Sequence, residues 1–475
     1  MKDGKKDWRL LHNSNAKAVD LYAYPSALIE GRLAGKYMLS KEQIPDTIVV
    51  QSFSSKGILA GADSEIDREA AKKEGIQVAK IPRSGRGGPK AVGTYDYSDL
   101  IKHASKKFNS VHSDPDEPAV LLYTSGTTGN PKGVIVTHRN FIAQTELVDR
   151  IMPMYPKDTI VLVLPLFHVY GLSNGLVCGI RNGSSMALVP QYSPTKLLEV
   201  ITEAKATLLI AVPTMYMHLL QYARARNTAI PKSLRLCVSG GAPLPLSTLE
   251  DFIELFQTQI AEGYGLTETT SAVSLNKTGE QFKAGSIGPA SPGIEMKVVD
   301  SQGNEVPDQT EGEIIIKGEV VTPGYWNKDE ETNEVLKDFW LHTGDLGYRD
   351  GDGFFFITDR KKDVIVRGGY NISPREVEEV LITHPKIAEA ALAAVVDKRG
   401  RETVKAFIVP EESMEVTTQE ILEFCREHLA DYKIPKTIEF RDTLPKSATG
   451  KILRKELRDE HAADQRLITQ EASNE

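Results

Sequence analysis

Cysteine is scarce in this chain of 475 residues: Cys178, Cys237 and Cys425 stand far apart. With no CxxC pair and no Cys/His cluster, the sequence argues against a disulfide framework and against a structural zinc site. Reduced thiols in a cytoplasmic protein are the expectation. Aromatic residues make up only 7% of the chain, and neither sign of charge is concentrated: 57 basic residues against 65 acidic give a net charge of −8. Without a basic block, nucleic acid is not an expected partner. Long apolar runs are lacking too. The longest stretch, residues 160–180, contains Pro165, His168, Ser173 and Asn174. It therefore predicts buried core and no membrane span, with weak peripheral association the most a membrane could provide. The opening residues Met1–Asp7 are polar, unlike a secretory leader, and the last residues do not spell a Ser-Lys-Leu address.

The composition, 40% hydrophobic and 26% charged, is that of a globular protein long enough for about two to four domains. Residues 1–93 are mixed, with a basic, Gly-rich stretch at Arg83–Lys90. Residues 94–358 alternate apolar runs with helical patterns, as an α/β layer structure does. Residues 359–363 form a charged connector, and 364–475 read as a small α+β unit. The first helix of that unit has a sharp start signal: Ser373 as N-cap, Pro374 at the first helical position and Glu376 completing a capping box, before apolar Val377, Val380 and Leu381. Strands are expected over 391–396 and 404–409, and a second helix over 418–429.

The strongest local signal is a loop between two apolar runs, Leu121-Leu-Tyr-Thr-Ser-Gly-Thr-Thr-Gly-Asn-Pro-Lys-Gly-Val134. Gly126, Gly129 and Gly133 let backbone N–H groups approach a ligand closely. Thr124, Ser125, Thr127 and Thr128 offer hydroxyls, and Lys132 adds a cation. Such a nest suits a polyphosphate. It is not the common P-loop, because Lys132 is followed by Gly133 and a strand, where that motif has Ser or Thr and a helix. Further along, Val238-Ser-Gly-Gly-Ala-Pro243 runs from a strand into a Gly-Gly turn, where Gly240, Gly241, Ala242 and Pro243 leave room for a flat ring. Glu262-Gly-Tyr-Gly-Leu-Thr-Glu268 reads as a loop bordered by Gly263 and Gly265. In it Tyr264 is suited to stack on a base, Thr267 to bond a phosphate oxygen, and Glu268 to hold Mg²⁺.

The order and spacing of these strings resemble the adenylate-forming superfamily, which includes acyl-CoA synthetases, 4-coumarate–CoA ligases, firefly luciferase and peptide-synthetase adenylation domains. The resemblance runs over about residues 95–455. It implies an α/β fold: a large N-terminal domain of parallel-rich sheets with helices and a small β-barrel part, plus a small mobile α+β C-terminal domain. It implies ATP, Mg²⁺ and coenzyme A as co-substrates and cofactor, and a small carboxylic acid as partner. Pro165-Leu-Phe-His-Val-Tyr-Gly171 matches a second signature, in which His168 borders the acyl pocket. Asp345 in Trp340–Gly347 and Arg360 in Thr358–Asp363 match ribose contacts. Lys362 matches the hinge. Gly368 and Gly369 match a loop that reaches the thiol tunnel after the small domain rotates. Lys451, in Leu444-Pro-Lys-Ser-Ala-Thr-Gly-Lys-Ile-Leu-Arg454, matches the mobile catalytic lysine.

The implied activity is that of an acid–thiol ligase: carboxylate adenylation with Thr267, Glu268 and Lys451 around the phosphates, then thioester formation with free coenzyme A. The acid is expected to be fatty or aryl, because the candidate pocket walls are apolar or small. Two other readings stay open, an enzyme loading a carrier protein and a ligand-binding relic without activity. Residues 1–93 depart from the superfamily and look shortened or replaced. Trp8-Arg9, residues 66–79 and Arg83–Gly88 resemble lipoate–protein ligases and octanoyltransferases, in which a basic, Gly-rich loop holds an acyl-adenylate.

Overall fold

The computed structural model describes residues 47–50, 77–80 and 94–96, then 113–463 apart from 125–131, 190, 229–230, 277–281, 368–369, 397–401, 412–413 and 448–451. The lipoate-ligase-like strings, apart from residues 77–79, and Ser125–Gly129, Gly368, Gly369 and Lys451 therefore lie outside the described residues. Contacts divide the chain into two units, Met1–Ile29 with Lys41–Ala104, and Glu30–Ser40 with Ser105–Glu475. In the first, β1 (Thr47–Val50), β2 (Gln77–Lys80) and β3 (Thr94–Asp96) form a parallel sheet in that order.

The second unit opens with an antiparallel hairpin, β4 (Pro118–Thr124) and β5 (Lys132–Thr137). The two apolar runs around the hydroxyl-rich string are thus its two strands. Leu122, Val134 and Val136 pack beneath it with Val169 and Tyr325. Helix α1 (His138–Ile151) follows at once, because Thr137 caps it: Thr137 Oγ1 accepts from Asn140 N, and Asn140 Oδ1 accepts from Thr137 N.

Next come β6 (Thr159–Leu162), a π-helical segment (Tyr170–Val177) running into α2 (Cys178–Arg181), β7 (Ser185–Leu188), α3 (Pro194–Glu203), β8 (Leu208–Ala211), α4 (Pro213–Arg226), β9 (Leu236–Gly240), α5 (Leu246–Phe256), β10 (Ile260–Leu266) and β11 (Ser271–Asn276). Their strands form one six-stranded sheet in the order β11-β10-β9-β8-β6-β7, parallel except for β10–β11. All four residues of β8 are buried, as befits a strand covered on both faces. The largest core cluster joins this sheet to its helices, and residues 160–164 are buried within it. No helix among the described residues is long and apolar enough to cross a membrane.

A second, antiparallel sheet is built from β12 (Glu295–Val299), β13 (Gly312–Lys317), α6 (Asp329–Val335) with β14 (Leu336–Lys337), β15 (Trp340–Arg349) and β16 (Phe355–Arg360), ordered β12-β13-β15 with β14 and β16 both on β15. After a turn, β17 (Ile365–Arg367) and β18 (Tyr370–Ile372) make a hairpin. Then α7 (Pro374–Ile382), β19 (Ile387–Val396), β20 (Glu402–Pro410), α8 (Thr418–His428) and β21 (Thr437–Phe440) form a small α+β unit around its own core of Val377, Leu381, Leu392, Ile408 and Ile421. Ser373 caps α7 through Glu376 N. The expected reciprocal bond of a capping box gives way to an ion pair, because the Glu376 carboxylate reaches Lys433 instead.

Candidate active site

The C-terminal edge of the six-stranded sheet gathers most of the described candidate residues. β9 ends at Gly240, where two tyrosines fix the strand: Tyr170 Oη and Tyr216 Oη both donate to the Val238 carbonyl, at 3.1 and 2.9 Å. Gly241 follows with φ +83°, the left-handed region that a residue with Cβ rarely adopts. Gly263 lies beside Gly240 on β10. His168 sits in the turn before the π-helix, where its Nδ1 accepts from Tyr170 N at 3.2 Å.

The string Glu262–Glu268, read above as a loop, is strand as far as Leu266, and a single 3-10 turn, Thr267–Thr269, follows. The glycines serve strand packing there. A Cβ on Gly265 would fall 1.7 Å from the Ser271 carbonyl oxygen, across the bulge where β11 folds back onto β10. The turn between the strands is strained: Thr270 has φ +56° and Ser271 φ +117°. It is held by Thr269 Oγ1, which accepts from Leu266 N, and by Thr270 Oγ1, which donates to the Val320 carbonyl.

Two polar clusters project from this strand and turn. In the first, Tyr264 Oη donates to Asp345 Oδ2 at 2.6 Å, and Arg360 Nε meets Asp345 Oδ1 at 2.9 Å. Asp345 on β15 and Arg360 on β16 are direct cross-strand partners, and Thr343 Oγ1 accepts from Asp345 N. Asp345 is buried at 3% exposure. Burial and the neighbouring Asp345 charge push the Tyr264 phenol well above its usual range. Burial opposes the charge of Arg360, but the Asp345 carboxylate together with Tyr264, Asp363 and Glu268 outweighs it and raises the guanidinium pKa. In the second cluster, Tyr325 Oη donates to Glu268 Oε1 at 2.9 Å, and Lys132 Nζ lies over the Tyr325 ring, 5.0 Å from its centre. The Thr322 N–H donates to the Glu268 carbonyl, fixing that residue from its backbone as well.

The structure thus brings together Gly240, Gly263, Tyr264, Glu268, Asp345, Arg360 and Lys132. Lys362 lies beyond them, in the turn after β16, where the surrounding protein and then the nearby Arg360 charge lower its pKa. Two participants gave no signal as motifs. Tyr325 is 57 positions from its partner Glu268, and nothing local to Gly324-Tyr325-Trp326 marks it. Tyr216 reads as ordinary core. Tyr170 stands inside the Pro165–Gly171 string quoted above. Glu262 has a buried carboxyl whose pKa burial pushes up to about 7, against one backbone hydrogen bond from Leu244 N.

Among the described residues no three His, Cys, Asp or Glu gather into a metal-holding group. The donor set nonetheless fits Mg²⁺, which commonly takes one or two protein carboxylates plus substrate phosphate oxygens. Glu268 is a carboxylate that could hold it, and Lys132 lies over the ring of the Tyr325 that donates to Glu268.

The model of the AMP-binding enzyme family matches residues 40–326, and that of the AMP-binding enzyme C-terminal domain matches residues 376–451. The long-chain-fatty-acid–CoA ligase of Bacillus subtilis (strain 168) is 43% identical over 383 residues, covering 80% of this chain and 68% of that protein. Among solved structures, ATP-bound MatB from Rhodopseudomonas palustris superposes with a TM-score of 0.78 at 30% identity, covering 92% of this chain and 82% of that one; apo MatB gives 0.66 at 29% identity, with the same two coverages. O-succinylbenzoate coenzyme A synthetase (MenE) from Bacillus subtilis, in complex with ATP and magnesium ion, gives 0.71 at 29% identity, covering 90% of this chain and 93% of that one.

Proposed function

Because the chain belongs to the AMP-binding enzyme family, we propose that it is an ATP-dependent acid–thiol ligase that adenylates a carboxylic acid and passes the acyl group to coenzyme A. The observation that carries this reading is the pairing of two clusters on one strand and turn: Tyr264–Asp345–Arg360, and Glu268–Tyr325–Lys132.

In the first half-reaction the carboxylate oxygen attacks the α-phosphorus of ATP, and pyrophosphate leaves. An anion approaching a polyphosphate meets strong repulsion, of order 4 kcal/mol per charge pair at 4 Å and an effective dielectric of about 20. The chain offsets this mainly by positioned charge and needs no protein nucleophile. Asp345, fixed by Tyr264 and Arg360, accepts from the ribose hydroxyls. Gly240, Gly241, Ala242 and Pro243 border the adenine. Thr124, the Ser125–Gly129 loop and Lys132 cradle the phosphates, and Thr267 bonds the α-phosphate. Magnesium, when bound at Glu268, supplies Lewis-acid charge to phosphate oxygens. Lys451 neutralises the charge developing between carboxylate and α-phosphate.

In the second half-reaction a thiolate attacks the acyl carbon and AMP leaves. The small domain turns about Lys362 and brings Gly368 and Gly369 to the thiol path. A fatty acid fits best. The B. subtilis relative is named for that class, and Val169, Val212 and Met215, which we place along the acyl group, are apolar and buried. The three cysteines are buried free thiols, in keeping with a cytoplasmic enzyme.

The test is mass spectrometry of products after mixing the chain with ATP, Mg²⁺, coenzyme A and a panel of fatty and aryl acids. Acyl-CoA is the expected product. Acyl-AMP without thioester favours a carrier-protein acceptor, and no acyl-AMP from any acid defeats the ligase reading.

A further inference from the structure

Resting on that reading, we propose that Asp359, Ser373 and Arg375 are positioning residues for the adenylating step, forming a clasp that holds the small domain to β16. Asp359 lies on β16, before the turn that contains Lys362, whereas Ser373 and Arg375 lie after it, at the head of α7. Ser373 and Arg375 bond to β16 across the turn. Ser373 Oγ donates to Asp359 Oδ2 at 2.5 Å and also lies 3.4 Å from the Thr358 carbonyl oxygen, Arg375 N donates to Asp359 Oδ2 at 3.3 Å, and Arg375 Nη1 donates to the Ile357 carbonyl at 2.6 Å. Asp359 is 6% exposed. A carboxylate at the start of a helix is favoured by the unpaired N–H groups and the helix dipole there.

A rotation about Lys362 moves α7 relative to β16. These bonds must then break together, and the buried Asp359 carboxylate keeps only the Arg360 N donor of its own strand. The other ion pairs of the region behave differently. Arg454 joins Glu378 and Asp363, all of which lie beyond Lys362 in the chain, so these pairs travel with the small domain and do not resist its turning. Among the described hydrogen bonds, those of the clasp tie the head of α7 directly to β16, and a rotated arrangement lacks them. This arrangement superposes better on ATP-bound MatB than on the apo form, so we assign the clasped state to adenylation.

The decisive variant is Ser373→Asp. Aspartate is as good an N-cap as serine, so α7 keeps its start, but the new carboxylate faces Asp359. Like charges in direct contact are strongly unfavourable. The readouts are acid-dependent exchange of labelled pyrophosphate into ATP, and thioester formation from supplied acyl-adenylate and coenzyme A. The expected result is an exchange rate lowered by about tenfold, with thioester formation unchanged or faster. Adding Asp359→Asn to the same chain restores exchange. Unchanged exchange, or an equal fall in both half-reactions without rescue, overturns the clasp while leaving the ligase reading intact. Absence of exchange in the wild-type chain overturns the ligase reading and the clasp with it.

Discussion

The two halves of the proposed machinery are built in different ways. In the large domain, the functional side chains bond one another: Asp345 is at once a candidate ribose ligand and the acceptor for Tyr264 and Arg360. In the small domain, the candidate Lys451 and the anchoring residues are distinct. The segment around Lys451 is closed by a bridge between Lys446 and Ile452 and by Leu453 N donating to the Pro445 carbonyl. Just beyond, Arg454 is bound by the buried Glu378 at 2.6 Å and by Asp363 at 3.5 Å. A prebuilt site tolerates little change in any member, whereas a carried site separates what reacts from what holds it. Mutations should therefore couple rate and stability in the large domain and uncouple them in the small one.

The largest expected effect is on the anchor. Arg454→Ala leaves the Glu378 carboxylate buried without its partner, and a loss of about 3–5 kcal/mol in stability is expected, measured by denaturant melting. A melting midpoint equal to the wild type's breaks the distinction between anchor and reacting group. Lys451→Ala is the converse. It should leave the melting curve unchanged and lower pyrophosphate exchange by about 10²–10³-fold, the range for losing one charge-stabilising group. A parallel fall in ATP affinity would assign Lys451 to binding, contrary to its role in the transition state.

Glu262 sharpens the comparison from the large-domain side. Its folded pKa, about 7, lies above the ordinary value of 4.5, so between these values the folded state holds the extra proton. The stability this contributes is full below about pH 4.5 and is lost as the pH rises through 7, by about 3 kcal/mol at most. Glu262→Gln keeps an acceptor for Leu244 N, and unfolding curves from pH 5 to 8 should then flatten. The smallest effect is expected from Tyr325→Phe, which deletes one hydrogen bond to Glu268, worth about 1 kcal/mol. A several-fold rise in the Mg²⁺ concentration for half-maximal exchange is the measurement. No rise would detach Tyr325 from the cation site.

Much of this architecture was legible because its signals are local. Ser373-Pro374 announces α7 three residues ahead of the buried Val377, and the apolar runs on either side of Thr124–Lys132 are the two strands that present the loop. What was illegible depends on partners distant in the chain. Glu262–Leu266 reads as a loop because two glycines interrupt it, yet β9 and β11 pair with it on either side and make it strand. Glu378 lies on the helical face that buries Val377 and Leu381, where sequence logic places apolar residues; Arg454, 76 positions away, makes its burial tolerable. The π-helix at Tyr170 leaves no compositional trace that separates it from an α-helix.

Thr270 and Ser271, side by side with positive φ, carry a further consequence. Left-handed backbone at such residues commonly costs about 1–3 kcal/mol each, and glycine would remove that cost. Because glycine at Thr270 would also lose the bond to the Val320 carbonyl, selection of this enzyme for heat tolerance alone would favour glycine at Ser271. The same change would slacken the bend that sets the direction of the neighbouring Glu268, so the hardier descendants of such a selection should be slower catalysts.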